Sequence, residues 1–593
     1  MEASLDFYLA QANERKLHEE RYWHLLLHMQ NNVSEIDDPY FFLAPEGKTD
    51  PKAELEATLR AFYNETSLDD NATACRFPAR LAWLKEELSL ENLPNVTCQE
   101  YDAILDRLSP TSVTLVFPAA HINSPASMFG HTFLRINSSY NSKLLSYAIN
   151  YAADADPSQE NGVLFAVKGL LGAYFGKYSL LPYYDKLKEY RDTENRDMWE
   201  YDLDLTKEET FRMVRHIWEL NGTSSYYYFF TENCSYNMLW LLEIARPSIR
   251  LREHFNFQVI PLETVHAAKS EAIITKNTYR PSKRSVLLAY EKLIEPRYLH
   301  MPRAIVAKES DLMACVNDPS MPLTQKQYIL EAAVEYLEYT YSRNDMKKEE
   351  YLTLFHAISK QRAALGRGKP LEVATPPNPV DSHRAIRSTF GVGVVEEELS
   401  GFIGLRPAYH DLYDSGYGFL RGTQIEFLDL LLSHSDAHTR IEKATILSIT
   451  SATQRSTFID GFSWRTKFGW DRNSLDTDPL FNATVGGGLS YGNDLGYMYA
   501  FVDPLFYFEK EFTSGVGASV GAVIDGFKHA NTNIDFTHRI YETGSKQNIF
   551  NLSQNFRTSQ NTQIRFVYDA IERETKRVKF HEESYKLFFN YYF

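Results

Sequence analysis

Polar and apolar residues alternate with a period of two over most of the last third of the chain. In the closing segment SYKLFFNYYF (584–593), one face of an extended strand would carry Tyr585, Leu587, Phe589, Tyr591 and Phe593. The other face would carry Ser584, Lys586, Phe588, Asn590 and Tyr592. The segment FSWRTKFGW (462–470) alternates in the same way, with Trp464, Phe468 and Trp470 opposite Arg465 and Lys467. Such alternation, with aromatic residues at the segment ends, is typical of barrel strands that have lipid outside and water inside.

Twelve segments of this kind follow one another, separated by turn signals such as YGNDLG (491–496). We place them near 384–395, 401–412, 422–433, 440–452, 461–471, 480–492, 496–510, 513–526, 532–543, 546–558, 561–572 and 577–593. About 17 residues for each strand with its connection suits membrane-crossing strands of ~10 residues. The aromatic C-terminal residue also resembles the signature of bacterial outer-membrane proteins. The alternative is a soluble β-sandwich, whose outward faces would be polar.

The first 383 residues have a different pattern, in which long stretches show helical spacing. Helices are predicted over 6–30 and, as a hairpin, over 324–343 and 347–365, while 112–116 and 131–136 resemble short buried strands. The stretch GRGKPLEVATPPNPV (366–380) indicates a linker. We therefore divide the chain into a helical region 1–110, an α+β domain 111–270, a helical connecting region 271–365, a linker 366–383 and an antiparallel transmembrane β-barrel 384–593.

Composition supports the boundary near 380 and excludes several classes. The last 210 residues hold 19 of the 28 glycines, 3 of the 24 prolines and none of the 4 cysteines. The net charge of -16 argues against a nucleic-acid partner, because neutralising phosphates requires a basic surface. Four cysteines cannot form a disulfide scaffold in 593 residues, and no apolar window is long enough for a membrane-spanning helix. Met1 runs directly into an acidic stretch, as expected if the numbering begins after a removed signal.

Candidate chemistry lies in YYYFFTENCSYNMLWLLEIARP (226–247). From Cys234 the spacing of Tyr236, Trp240 and Ile244 is helical, and Asn233 is a good N-cap. The first turn of a helix stabilises a thiolate through free N–H groups and the helix dipole, which lowers the pKa of a cysteine there. The alternative is that Cys234 is a small buried residue without a chemical role.

A base for Cys234 is offered by FPAAHINSPASMFGHTFLRI (117–136), where small residues lead into His131. This histidine could take the thiol proton and later protonate a leaving group. Asn150, in LLSYAINY (144–151), could orient the imidazole, with Tyr147 as the second choice. The residues expected to support the site are Ser127, Gly130, Tyr147, Asn233 and Ser235, with His121 as a substitute base. A histidine that only satisfies a loop is the competing interpretation.

The remaining candidates are weaker. Cys75 and Cys98 flank a helical stretch and could pair as a disulfide, while Cys315 is expected to be buried and inert. No metal or cofactor is expected, because paired ligands at metal spacing and phosphate-binding glycine loops are not found, and HEER (18–21) has no second histidine. We interpret ENRDMWEYDLDL (194–205) as a strand with paired charges.

Four ordered segments resemble one family. CRFPARLAWL (75–84), FPAAHINSPASMFGHTFLRI, ENRDMWEY (194–201) and ENCSYNMLWLLE (232–243) look like the Lnb N-terminal periplasmic domain family over roughly residues 65–270. That family is similar to circularly permuted papain-like proteins, in which the histidine precedes the cysteine. The resemblance implies a permuted papain-like periplasmic domain with helical flanks, and His131 and Cys234 as its catalytic pair. Asn150 is carried over only by its position on the next strand.

The resemblance also sets the functional expectation. The family's namesake in Bacteroidota is a lipoprotein N-acyltransferase, so we expect an outer-membrane thiol acyltransferase or acylhydrolase that works through an acyl-thioester. A backbone N–H at the helix start, such as that of Cys234, would hold the oxyanion. Expected partners are outer-membrane lipid, a phospholipid acyl donor and a lipoprotein N-terminus as acceptor. The runs 226–230 and 162–176 would touch lipid or form core. Two alternatives stay open: a cell-wall amidase or peptidase with the same pair, and a barrel channel with a periplasmic gate or binding module.

Overall fold

The computed structural model describes residues 4–119, 129–140, 142–155, 168–169, 171–343, 345–436, 439–471, 479–508, 512–575 and 578–593. The chain forms two compact units, residues 1–280 and 281–593. Among the described helices, none is long and apolar enough to cross a bilayer.

The first unit is built around an antiparallel sheet of seven strands. In spatial order the strands are Ser224–Tyr227, Tyr174–Pro182, Tyr147–Ala153, Phe133–Ser138, Pro110–Pro118, Met198–Leu203 and Ile274–Arg280. The predicted strands over 112–116 and 131–136 are thus confirmed, although His131 lies two residues before its strand. Ile274–Arg280 also forms the sheet edge, whereas the sequence placed it in a helical region, because its exposed, polar residues lack strand alternation.

Helices precede this sheet along the chain and also connect its later strands. They are Leu5–Glu14, Arg21–Leu26, Pro51–Tyr63, Thr73–Arg76, Pro78–Leu88, Gln99–Leu108, Tyr183–Lys188, Lys207–Glu219, Cys234–Ala245 and Pro261–Ser270. The single helix predicted over 6–30 is interrupted, because Lys16 adopts a left-handed conformation with φ 53°. Cys75 and Cys98 form a disulfide. A buried ion pair between Arg80 and Glu54, 2.5 Å apart, joins the flanking helices.

The second unit begins with five helices, Lys283–Leu293, Met301–Val306, Leu312–Asn317, Leu323–Ser342 and Lys348–Ala364. The last two confirm the predicted hairpin. These helices share one hydrophobic core with Phe458 and Ile459, which lie in a connection between barrel strands. Arg303 pairs with Asp460 in the same connection at 2.7 Å. The helical region therefore packs as part of the barrel unit and does not act as a free connector.

The barrel consists of twelve long antiparallel strands. They are Arg387–Val395, Glu398–Arg406, Thr423–His434, Thr439–Ser451, Ser463–Asp471, Leu480–Gly492, Gly496–Phe508, Thr513–Phe527, Ala530–Tyr541, Lys546–Arg557, Thr562–Glu574 and Lys579–Tyr592. The first strand pairs with the last, and the second pairs with the third, so the sheet closes on itself. A short strand, Ala408–His410, adds to the start of the third. The predicted barrel and its strand number are confirmed.

Side chains divide between the two faces of the barrel as the alternation predicts. On the last strand Phe589 and Tyr591 are 45% and 47% exposed, whereas Asn590 and Tyr592 are buried. Inward-facing charges are paired, as between Arg465 and Asp503. The exposed face is apolar and the interior is polar, which is the arrangement that a bilayer demands of a closed barrel.

Candidate active site

Cys234 occupies the first position of the helix Cys234–Ala245, here called the cysteine helix. The cap predicted at Asn233 is present, since its side-chain oxygen accepts hydrogen bonds from the backbone N–H groups of Ser235 (3.0 Å) and Tyr236 (3.2 Å). The Asn233 amide nitrogen donates to the Val259 carbonyl at 2.7 Å. The cap residue is therefore held from both sides, and the Cys234 thiol is fixed at the positive end of the helix dipole.

His131 reaches the site through a turn that only glycine readily allows. Gly130 has φ +96°, and a Cβ at that position would lie 2.6 Å from a ring carbon of Phe117. A larger residue would be strained in its backbone and would also displace the Phe117 ring. The small residue before His131 is thus required by the geometry that delivers the imidazole.

Asn150 orients this imidazole. Its side-chain oxygen lies 2.8 Å from His131 Nε2, and the asparagine is buried on the strand Tyr147–Ala153. Because an amide oxygen only accepts, Nε2 carries the proton and Nδ1 keeps its lone pair. The charges of the imidazole and of the Cys234 thiol act on each other, so the two groups are neighbours in the site. Nδ1 is therefore the nitrogen available to accept the thiol proton.

The surroundings favour ionisation of this pair. Burial raises the pKa of the Cys234 thiol, but the charge of His131 and hydrogen bonds from His131, Ser235 and the Thr132 backbone lower it to about 7. Burial lowers the pKa of His131, while the Cys234 charge and the hydrogen bonds with Cys234 and Asn150 outweigh it, so the net pKa is raised. Both shifts point to a thiolate beside an imidazolium near neutral pH.

One aromatic residue that the sequence analysis did not single out, Tyr190, supports the imidazole. Tyr190 stacks on the His131 ring with centroids 5.8 Å apart, and the guanidinium of Arg196 lies 5.0 Å from the centre of the Tyr190 ring. Arg196 donates to the carbonyl of Pro118 at 2.9 Å. The imidazole is thus held by Asn150 at its edge and by Tyr190 on its face. Arg196 lies in the segment ENRDMWEY, so this segment was the feature of the sequence that could have pointed to the support of the imidazole.

The sequence analysis expects the backbone N–H of Cys234 to hold the oxyanion, and the position of Tyr227 changes this expectation. The backbone N–H of Cys234 donates to the Tyr227 hydroxyl oxygen at 3.2 Å, so that N–H already has a partner. The hydroxyl also interacts with the Cys234 side chain, and burial together with the Cys234 charge raises the pKa of Tyr227 well above its usual value. The phenol therefore keeps its proton at neutral pH. Tyr227 therefore supplies an O–H donor next to the sulfur, while the backbone N–H of Cys234 is already bonded to the oxygen of the same hydroxyl.

The other predicted site residues are distributed as follows. The Ser235 hydroxyl oxygen is 3.6 Å from the Cys234 sulfur. Tyr147 begins the same strand as Asn150, but an odd separation of three residues places its side chain on the opposite face. Ser127 and His121 lie outside the described residues, as do 162–167 and 170 of the run expected to touch lipid. From the two runs, Phe175 and Tyr226 are exposed and stack at 5.0 Å.

Comparison with protein families assigns the first part of this architecture. Residues 100–271 match the sequence profile described as the Lnb N-terminal periplasmic domain. These residues belong to that family. The Lnb domain contains His131, Asn150, Tyr227 and Cys234, and the residues flanking it match three domains of unknown function. These are DUF7843 at 15–87, DUF7842 at 277–374 and DUF7840 at 376–592. No curated protein shows significant similarity to the chain.

Solved structures resemble the barrel. An outer-membrane channel from Pseudomonas putida F1 is 9% identical, with a TM-score of 0.26, and the match covers 38% of this chain and 99% of that one. The KdgM porin in complex with disordered oligogalacturonate is 10% identical, with a TM-score of 0.22, over 35% and 99% of the two chains. The NanC porin is 9% identical, with a TM-score of 0.24, over 35% and 100%. The chain thus contains a region that matches the Lnb periplasmic domain and, after it, a closed twelve-strand β-barrel.

Proposed function

We propose that this protein is an outer-membrane thiol acyltransferase or acylhydrolase that acts on lipid or lipoprotein acyl groups. The observation that carries the proposal is the arrangement of Cys234, His131 and Asn150. A buried thiol with its pKa near 7 begins a helix, and an imidazole oriented through Nε2 accompanies it. Thiol nucleophiles that form acyl intermediates are activated by such a neighbouring base.

The reaction would proceed in two balanced steps. The Cys234 thiolate attacks the carbonyl carbon of an acyl ester, and the Tyr227 hydroxyl is placed to donate to the oxygen that becomes negative. Collapse breaks the ester C–O bond, the His131 imidazolium gives its proton to the departing alcohol oxygen, and an acyl-thioester remains. An amine then attacks the thioester, His131 accepts its proton, and the thiolate leaves. If water attacks instead, the product is a free fatty acid.

The fold assignment is part of the same proposal. The cysteine helix packs against the strands Phe133–Ser138 and Tyr147–Ala153, which follow His131 and carry Asn150. This is the layout expected of a papain-like domain in permuted order, with the histidine before the cysteine. A covalently attached barrel with an apolar outer face keeps the Lnb domain at a membrane, which favours a lipid substrate over a soluble one.

Intact-mass analysis of the detergent-purified full chain tests the proposal. After incubation with vesicles of phosphatidylethanolamine and phosphatidylglycerol, we expect a mass increase of one acyl group that hydroxylamine removes. The adduct should be lost in Cys234→Ala and kept in Cys315→Ala, since Cys315 is the other free cysteine among the described residues. An unmodified protein that releases no fatty acid would refute a lipid acyl enzyme. Cleavage of muropeptides in a parallel sample would favour the amidase instead.

A further inference from the structure

Three side chains meet inside the second unit, at the end of the barrel where the first strand begins and the last strand ends. His383 precedes the first barrel strand, His410 ends the short strand Ala408–His410, and Asp414 lies in the turn that follows. All three are buried. The site is far from the Lnb domain in sequence and has no part in the thiol chemistry, so it stands independently of the proposed function.

The donor atoms are spaced as metal ligands are. His383 Nε2 is 3.2 Å from His410 Nδ1 and 3.7 Å from Asp414 Oδ2, and the last two atoms are 3.9 Å apart. A circle through three points with these separations has a radius of about 2.1 Å, so one position is equally distant from all three atoms. Zinc binds histidine nitrogen at ~2.0–2.1 Å and carboxylate oxygen at ~2.0–2.2 Å.

The ring of His383 is held in the tautomer that a metal requires. Its Nδ1 lies 2.7 Å from the carbonyl oxygen of Arg384, so Nδ1 carries the proton and Nε2 has a free lone pair. Metal-binding histidines usually donate their second N–H in this way. Phe419 stacks on His410 at 4.0 Å and Tyr592 stacks on His383 at 4.1 Å, which fixes both ring planes.

Charges around the cluster select the type of cation. Four positive groups balance four negative ones in this network: Arg387, Arg406, Arg565 and Lys443 face Asp411, Asp414, Asp429 and Glu426. Arg406 donates to Asp414 Oδ2 at 2.7 Å and neutralises part of the negative charge of this carboxylate. Calcium and magnesium need several anionic oxygens. Two neutral nitrogens and one carboxylate suit a first-row transition metal such as zinc.

We propose that His383, His410 and Asp414 bind one divalent transition-metal ion, with zinc as the probe, which clamps residues 407–419 inside the barrel end. The segment is also tethered by Asn531, which donates to the Asp414 carbonyl, and by Gln563, which donates to the Tyr413 carbonyl. Both of these residues lie on barrel strands. A metal bound to His383 would also join the residues just before the first barrel strand to the segment 407–419. The competing arrangement is a hydrogen bond from His410 Nδ1 to His383 Nε2 with no metal.

Metal titration of the detergent-purified full chain distinguishes the two arrangements. After chelator treatment and dialysis, we expect the wild type to bind one equivalent of Zn²⁺, and Co²⁺ to give the visible absorption of a nitrogen-ligated low-coordinate site. His410→Ala and His383→Ala should lose both signals. His434→Ala is the matched control, because that exposed histidine bonds only to Thr439 in the described part of the barrel.

Folding is checked in each variant by the shift in gel migration that heating gives to a closed barrel. Zn²⁺ should raise the unfolding temperature of the wild type and of His434→Ala, since a ligand bound only to the folded state stabilises it. If a histidine variant does not fold, the Co²⁺ spectrum of the wild type decides alone. A folded wild type that binds no metal, or histidine variants that bind as much as the wild type, would overturn the proposal.

Discussion

Replacing His131 with alanine should change the reactivity of Cys234 in a manner that can be calculated. The surroundings hold the pKa of this thiol at about 7 instead of the ordinary 9.0, and His131 is the main group that lowers it. At pH 7 about half of the thiol is ionised, against about 1% for a pKa near 9. Intrinsic nucleophilicity falls with pKa with a slope of about 0.5, which costs about tenfold over two units. The net advantage of the wild type at pH 7 is therefore about fivefold.

The same numbers predict that the two pH profiles cross. A depressed pKa gives a thiolate at lower pH, so the wild type should react faster below about pH 8. Above about pH 8 the variant should be faster, because its thiolate is then also formed and is the stronger nucleophile. Without His131, burial of the thiol would raise its pKa further and move the crossing upwards.

The assay is iodoacetamide labelling of Cys234, followed by peptide mass spectrometry in a Cys315→Ala background. Tyr147→Phe is the control, because Tyr147 lies on the opposite face of the strand from Asn150. Its profile should match the wild type. If His131→Ala reacts with the same midpoint near pH 7, the imidazole does not set the pKa of the thiol, and the assignment of the pair is wrong.

Three further predictions concern stability. Glu54→Gln leaves Arg80 buried without its ion-pair partner and should lower the free energy of unfolding by ~3–5 kcal/mol. Unfolding in denaturant, monitored by tryptophan fluorescence, measures this loss. The control is Glu253→Gln at an exposed ion pair, which should change the free energy of unfolding little. Gly130→Ala combines a left-handed backbone with the Phe117 contact and should cost at least ~1 kcal/mol and slow Cys234 labelling; an unchanged rate would contradict the role of this turn. Val520→Arg introduces a charge in the middle of an outward-facing strand and should destabilise the barrel by ~2–4 kcal/mol in lipid refolding titrations, more than Val516→Arg nearer the strand end.

Features that depend on neighbouring residues along the chain could be predicted well. The faces of the last strand follow from alternation alone, because successive side chains in a strand point in opposite directions. The cap at Asn233 and the position of Cys234 also follow from a local pattern, since a cap bonds to N–H groups two and three residues ahead. The break at Lys16 could not be predicted, because helical spacing continues across it.

The arrangement of the candidate active site could not be predicted from the sequence, because it depends on distances between residues on different strands. Asn150 and Tyr147 were both candidates to orient His131, and only the pairing of the strands shows that Asn150 faces the imidazole. Tyr227 and Tyr190 carry no sequence mark of their roles, which arise from a hydrogen bond across seven residues and a ring contact across fifty-nine. The helices before the barrel looked like a connector, because their apolar faces do not reveal which surface they cover.

By itself, the sequence determined the twelve strands, their lipid-facing side and the cysteine with its cap, because each rests on periodicity or on hydrogen bonds within one turn. Only the tertiary structure decided which polar groups meet. The cluster of His383, His410 and Asp414 illustrates the reason. Its members lack the spacing of a metal motif, and closing the barrel brings the entering chain against the turn after Ala408–His410. Long-range closure, which no local pattern encodes, sets the chemistry of this end of the barrel.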